Sequence, residues 1–407
     1  MEKSNLNLKS KIKNYFYYIY LFLLQLLGLT IVYISNENYS FYNISFFCIF
    51  IFTILFFFYI IRKYRIGYAY HYAIIVMLFS ISFIEILSLN FEYANKHIFW
   101  FVLGSILMFI SYYLVRRFNF YKNLYFLYVI LILFLFLITI KFGEVKYGSK
   151  NWVRVFGHLF QPIEFIKILF ILQLASLNKF KYKFLGILNN IFIYIYLLLL
   201  LIQHDLGSAL ILFSVFIVYL LFYEQNYKYT IINILTFLIF AIIGYILFRH
   251  VQLRVNIWLS PLKFYNNESY QLVSGLVNLS HGGFLGNGVG LSLNNLIPVN
   301  ISDMILVCIA SDFGMLSLIG VLILFNLLII TGAKLALNIS DIFHSKVAIL
   351  ISALFFIQFY LILLGSFSII PLTGVTAPFI SYGGSSMLSS MILLGAYQSI
   401  LRKYNYD

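Results

Sequence analysis

Charge is what this sequence has least of: Asp, Glu, Lys and Arg together make up 10% of its 407 residues, while 63% are apolar. A chain with so few charges cannot cover its own surface with polar groups, so a water-soluble globular fold is excluded and a bilayer must supply most of the solvent. Cysteine is nearly absent. Cys48 and Cys308 both fall in apolar runs far apart in sequence, which argues against a disulfide framework and makes them packing residues. Short internal repeats, low-complexity linkers and a separate soluble domain are missing too. The seven His residues are scattered and form no metal signature. Ser385 and Ser386 follow two glycines but lack the nearby His and acid that a serine nucleophile needs. The run Gly286-Asn287-Gly288-Val289-Gly290 follows no strand and is a turn element rather than a nucleotide loop.

What is present is a series of long apolar runs. A spanning helix needs roughly 20 mostly apolar residues, and windows of that length fall near 14–34, 41–63, 72–90, 97–116, 121–142, 162–178, 186–203, 206–223, 229–249, 303–332, 347–370 and 383–401. The expected fold is therefore all-α, a polytopic transmembrane helical bundle of about 12 spans. Many Tyr and Phe residues lie near the ends of these runs, where amphipathic rings settle at headgroup level. Lys3, Lys9, Lys11 and Lys13 imitate a signal peptide, but the run behind them is too long and no cleavage site follows, so a retained first span is expected.

The net charge of +14 comes from short basic clusters between apolar runs, which fits membrane topology and not nucleic acid. Basic residues accumulate in short cytoplasmic loops. With the N-terminus inside, Arg62-Lys63-Arg65, Arg116-Arg117-Lys122, Lys179-Lys181-Lys183, Lys334 with Lys346, and Arg402-Lys403 are all cytoplasmic, as are both termini. The outer face then receives the long segments 141–161, 249–302 and 371–384, where function is expected. Within the second, residues 270–279 have the pattern of a short amphipathic helix.

Acidic residues are few enough to weigh singly. Glu85, Glu164, Asp205, Asp303 and Asp312 lie within or at the outer ends of spans, where a carboxylate costs several kcal/mol unless it meets water or a cation. Asp303 either caps the tenth span or does chemistry. Glu164 and Lys167, three apart on one helical face, form either a structural ion pair or a substrate site. Asp205 either caps a helix or holds a neighbouring loop, Asp312 faces a partner across the bundle, and Glu85 stands alone and reaches the interface. Outward Lys146, Lys150, Arg154, Arg249, Arg254 and Lys263 run against the topology rule, and an anionic ligand would justify them.

Four stretches, in family order, resemble the SEDS family (shape, elongation, division and sporulation), whose members include RodA, FtsW and SpoVE. Gly148-Ser149-Lys150-Asn151-Trp152 leads to Gln161-Pro162-Ile163-Glu164-Phe165-Ile166-Lys167, similar to the family's tryptophan loop and its Gln-Pro-Ser-Glu-Phe-x-Lys motif. Gln203-His204-Asp205-Leu206-Gly207 resembles Gln-Pro-Asp-Leu-Gly. The glycine cluster from Ser280, joined to Ile297-Pro298 and Ser302-Asp303, resembles the outer loop that ends in Thr-Asp-Phe. Residues 371–386 (PLTGVTAPFISYGGSS) are nearly the family signature in full. There are departures: Val299 replaces an acid, Ile301-Ser302 replaces His-Thr, and Ala310-Ser311-Asp312 replaces Gly-Glu-Glu. The Asn and Gly usual shortly before Pro371 are absent.

The resemblance implies a ten-span core at 72–407, two additional N-terminal spans at 1–71, and a large extracytoplasmic loop at 250–302 between spans 9 and 10. It implies a peptidoglycan glycosyltransferase that polymerises lipid II on the outer face of a bacterial cytoplasmic membrane in elongation or division. Its implied partners are a class B penicillin-binding protein transpeptidase and other proteins of the elongation or division complex. A lipid II flippase and a non-catalytic scaffold are the alternatives. Asp303 matches the family's essential aspartate and is expected to be the general base. Trp152, Glu164, Lys167, Asp205, Arg254, Lys150, Arg154, Ser381, Tyr382, Gly383 and Ser385 are expected on the substrate. A divalent cation, magnesium or manganese, is implied without a visible ligand set, and no organic cofactor is expected.

Overall fold

In hydrocarbon a backbone must satisfy its own hydrogen bonds, and the apolar runs do so as helices. The computed structural model describes residues 51–405 apart from 52–53, 65, 119, 147, 156, 178–182 and 265–268. The expected span at 14–34 lies outside the described residues, as does part of that at 41–63, of which residues 54–63 are helical. The helices that follow are α1 (Ala69–Leu89), α2 (Phe91–Arg117), α3 (Tyr125–Phe142), α4 (Pro162–Ser176), α5 (Lys183–Ile202) and α6 (Leu206–Tyr219). Then come α7 (Tyr227–Leu247), α8 (Arg249–Leu259), α9 (Tyr270–Gly282), α10 (Ile305–Leu337), α11 (Ile342–Ser366) and α12 (Gly384–Asn405). Eight helices among the described residues are long and apolar enough to cross a membrane. Helix α4, at 15 residues, is short for a crossing, and α12 is rich in Ser and Gly; both are nonetheless buried in the bundle.

Sequence signals set the boundaries. Asn90 ends α1 and caps α2, its side chain accepting from Glu92 N at 2.9 Å and Tyr93 N at 3.2 Å. Pro162 occupies the first turn of α4, where its missing N–H costs nothing. Asp341 caps α11 through His344 N. Of these eight helices α1 is the most enclosed, 67% buried, whereas α7 is 17% buried and presents Ile231, Leu238 and Ile242 outward as a lipid-facing helix would. Helices α2 and α12 pack closely, with the Ser111 hydroxyl donating to Ile392 O at 2.9 Å.

The segment at 141–161 departs from the all-helical expectation. It forms an antiparallel sheet of β1 (Gly143–Lys146), β2 (Ser149–Val155) and β3 (His158–Phe160), with Glu144 opposite Trp152 and Arg154 opposite Leu159. The expected amphipathic helix at 270–279 is α9, whose buried face, Leu272, Val273 and Gly275, lies on α10.

Helix α10 is two helices spliced at Gly314, where φ is 85° and ψ is 164°. The glycine turn after α9 fills the break. Asn287 N and Gly288 N donate to Ser311 O and Asp312 O, both at 3.0 Å, while Met315 N and Leu316 N donate to Gly283 O and Phe284 O. The backbones touch at Gly286 and Gly314: a Cβ on Gly286 would lie 2.3 Å from Asp312 O, and one on Gly314 would lie 2.4 Å from Phe284 O. Both residues also have positive φ, so only glycine fits either position.

Candidate active site

The N-termini of α4, α6, α10 and α12 gather at one end of the bundle around residues 371–383, a segment with no regular secondary structure. Asp303 lies in the turn before α10, half-buried. It is not the helix cap, since Met304 holds that position and no side chain caps α10. Its carboxylate accepts from the Ser302 hydroxyl at 2.9 Å. The backbone beneath it is pinned by the irregular segment: Tyr382 N donates to Ile301 O at 2.9 Å, and the Ser381 hydroxyl donates to Ser302 O at 2.7 Å while accepting from Ala377 N. Gly374 lies beside Asp303 Oδ2. Burial raises the Asp303 carboxyl to about 6, against the opposing pull of the Ser302 hydroxyl and the Arg254 charge.

Arg254 arrives from α8. Its guanidinium donates to Leu372 O at 3.4 Å and Thr373 O at 3.3 Å, which sets a cation on the same segment as Asp303. Below that segment is a buried polar chain. Lys167 Nζ lies 2.8 Å from the Glu164 carboxylate and donates to Gln358 Oε1 at 3.1 Å; Gln358 Nε2 donates to Thr376 O at 2.8 Å. Ser389 donates to Glu164, and Thr376 to the Ser386 hydroxyl. The side chains of Lys167 and Glu164 are only 3% and 7% exposed, so this ion pair belongs to the packed interior beneath the site.

Asp205 caps α6 through Ser208 N at 3.0 Å, and its other oxygen accepts from Asn151 Nδ2 at 2.9 Å. Both alternatives read from the sequence are realised at once, since the same carboxylate ties the sheet to the bundle. Lys150 N donates to Gln203 O beside it. Two residues on, Gly207 touches the irregular segment, and a Cβ there would lie 2.6 Å from Thr373 O, the carbonyl that also receives Arg254. Lys150 is exposed on β2 and Trp152 half-buried on it. Arg154 is exposed and makes a two-pronged ion pair with Glu144, at 2.8 and 3.1 Å. The Tyr382 ring stands edge-on to Tyr93 at 5.1 Å, Gly383 leads into α12, and Ser385 is buried in its first turn.

Two groupings go beyond the sequence reading. Glu85 does not stand alone at the interface: it is fully buried, and its Oε1 accepts from Asn294 Nδ2 at 2.9 Å. The same nitrogen donates to Asp312 Oδ1 at 2.9 Å, and Asp312 Oδ2 accepts from Gly290 N. Asn294 thus bridges α1 and α10 and moors the glycine turn. The His204 and His250 rings stack at 3.8 Å, joining the turn before α6 to α8. Burial, then His204 and Arg254, depress the His250 imidazole to about 4, so it is neutral at ordinary pH. His204, with φ of 60°, stands where the motif it resembles has proline, which was the available signal. Among the described residues no three His, Cys, Asp or Glu side chains gather as metal ligands.

The family model for FtsW/RodA/SpoVE cell cycle proteins matches residues 63–406. The curated peptidoglycan glycosyltransferase RodA of Mycobacterium bovis is 27% identical over 265 residues, covering 61% of this chain and 56% of its own length. The chain therefore spans just over half the length of that relative. A probable peptidoglycan glycosyltransferase, FtsW of Borreliella burgdorferi, is 28% identical over 290 residues, 69% of this chain and 79% of its own. Among solved structures, a chain from a peptidoglycan synthase complex that coordinates polymerization and crosslinking superposes with a TM-score of 0.65 at 21% identity, covering 82% of this chain and 97% of that one. The crystal structure of Thermus thermophilus RodA gives 0.55 at 21% identity, with 82% and 96% covered. At that identity the likeness concerns the fold.

Proposed function

The chain belongs to the FtsW/RodA/SpoVE family of cell cycle proteins, and on that premise we propose that it is a peptidoglycan glycosyltransferase that polymerises lipid II at the outer face of a bacterial cytoplasmic membrane. The observation that carries the reading is Asp303, held by Ser302, Ser381 and Tyr382 beside Arg254 with its carboxyl raised to about 6. A carboxylate of that basicity is ionised at neutral pH and well matched to accept a proton in the transition state.

In the proposed reaction the 4-hydroxyl of the acceptor sugar attacks the anomeric carbon of the donor. The new carbon–oxygen bond forms as the bond to the undecaprenyl diphosphate oxygen breaks, and the hydroxyl proton passes to Asp303. The leaving diphosphate needs positive charge. Arg254 supplies it, aided by the helix N-termini that face the same segment. Lys150 on the sheet offers a second cation to the substrate headgroup, Arg154 being already paired with Glu144, while Glu164, Lys167, Asp205, Tyr382, Gly383 and Ser385 hold the site in place. Among the described residues no set of protein ligands fits a magnesium or manganese ion, so the proposed step uses only the chain's own groups.

In this reading both termini are cytoplasmic, and a class B penicillin-binding protein crosslinks the strands. The test is polymerisation of purified lipid II by reconstituted protein, alone and with its partner. Glycan strands from the wild type and none from Asp303→Asn are expected. Equal polymer from both would overturn the catalytic assignment, and lipid II crossing vesicles without polymer would favour a transporter.

A further inference from the structure

None of the 11 residues of α8 is buried, so little apolar packing fixes this helix. Ile257 rests on the small cluster of Leu272, Ile297 and Met304 beside the Asp303 turn. Its other anchors are three side chains at four-residue spacing, which puts them on one face. At the start of the helix the His250 ring stacks on His204 at 3.8 Å. One turn on, Arg254 Nη1 donates to Leu372 O and Thr373 O, at 3.4 and 3.3 Å. A further turn on, Trp258 Nε1 donates to Ser368 O at 3.0 Å. The backbone at that acceptor is unusual: Ser368 has φ of 59°, a left-handed conformation that is costly for a residue with a side chain.

Arg254 engages the two carbonyls through Nη1 alone, and among the described residues its other guanidinium N–H groups make no hydrogen bond. A guanidinium carries five N–H donors in a fixed fork. The group can therefore stay seated on the segment while the rest of the fork takes an anion. Where the fork points depends on where α8 lies, and bonds of 3.3 and 3.4 Å constrain that weakly. The Trp258 bond is the firm one. We propose that Trp258 is a positioning residue, whose bond to Ser368 O, with the His204–His250 stack at the other end of α8, aims Arg254 at the leaving diphosphate beside Asp303. This rests on the role given above to Arg254.

The reconstituted full chain, Trp258→Phe, Arg254→Gln and the double variant are compared for lipid II polymerisation across pH. Phe keeps an aromatic ring and removes the N–H. Asp303 feels the Arg254 charge, so a displaced guanidinium moves the acid limb to higher pH, whereas loss of folded enzyme lowers the plateau and leaves the limb in place. His250 stays neutral in this range and His204 is common to all four proteins, so the displacement between variants is what counts. Trp258→Phe should cost about fivefold in turnover, the scale of one neutral hydrogen bond, and raise the limb. In the Arg254→Gln background it should do neither. Equal effects in both backgrounds overturn the proposal. Spin labels at Asn256→Cys and Leu285→Cys, both exposed, in a Cys48→Ser background report the seating of α8 without lipid II. Their distance distribution should broaden in Trp258→Phe, and an unchanged distribution overturns the proposal. A broadened distribution with no polymer from the wild type upholds Trp258 as the residue that seats Arg254, and the failure then lies with the polymerase reading.

Discussion

Replacing Asp303 by Asn removes a charge and a proton acceptor while keeping the shape that Ser302 and Gly374 surround. The variant should fold with an unchanged thermal transition and lose polymerisation by at least about 100-fold, the usual scale for general-base loss. In the proposed role the base works deprotonated, and with the Asp303 carboxyl raised to about 6 activity should climb through pH 6 and level off above it. Arg254 opposes that rise, so Arg254→Gln should move the acid limb to higher pH as well as weaken turnover; an acid limb that stays put would separate the two residues. The place of Asp303, directly after the long loop and before α10, was legible in the sequence, but the helix-cap alternative falls away only because α10 begins after Met304. Glu85 was not legible. Its bridge, Asn294, lies 209 residues away, and no local pattern announces a contact of that kind.

Among the elements, the irregular segment 371–383 is the joint on which the site depends, since Arg254, the Asp303 turn, Gly207 and Gln358 all meet it. Gly207→Ala would drive a Cβ to within 2.6 Å of Thr373 O. It should cost about 1–3 kcal/mol of stability as an overpacking change, and impair activity by shifting the carbonyls that seat Arg254. Thermal unfolding and lipid II turnover measured on the same preparation check both. Glu164→Gln and Lys167→Met should each destabilise by about 3–5 kcal/mol, the double change by less than their sum, because each single change strands a buried charge. Most helices were readable as apolar runs of the right length. The sheet at 141–161 was not, because its strands are three to seven residues long and are held through Asn151 and Lys150 to the Asp205 turn instead of by a hydrophobic pattern of their own.

For the molecule as a whole, the proposed orientation makes a labelling prediction. In a Cys48→Ser background with Cys308 buried, a cysteine at Leu262, 78% exposed beside α8, should react with a membrane-impermeant maleimide in intact cells. One at Leu337, at the far end of α10, should react only after lysis. The reverse pattern would invert the bundle. Sidedness was read from basic clusters, which report on loops, whereas the interior arrangement depends on contacts between distant helices that composition cannot specify. The splice of α10 by the glycine turn has a practical reach. Four main-chain hydrogen bonds of a broken helix are completed by residues 283–288, so any epitope or fluorescent reporter inserted there would leave peptide groups stranded against hydrocarbon. The stretch at 261–264, exposed at Leu262, offers a place where the same loop can carry cargo without opening the bundle.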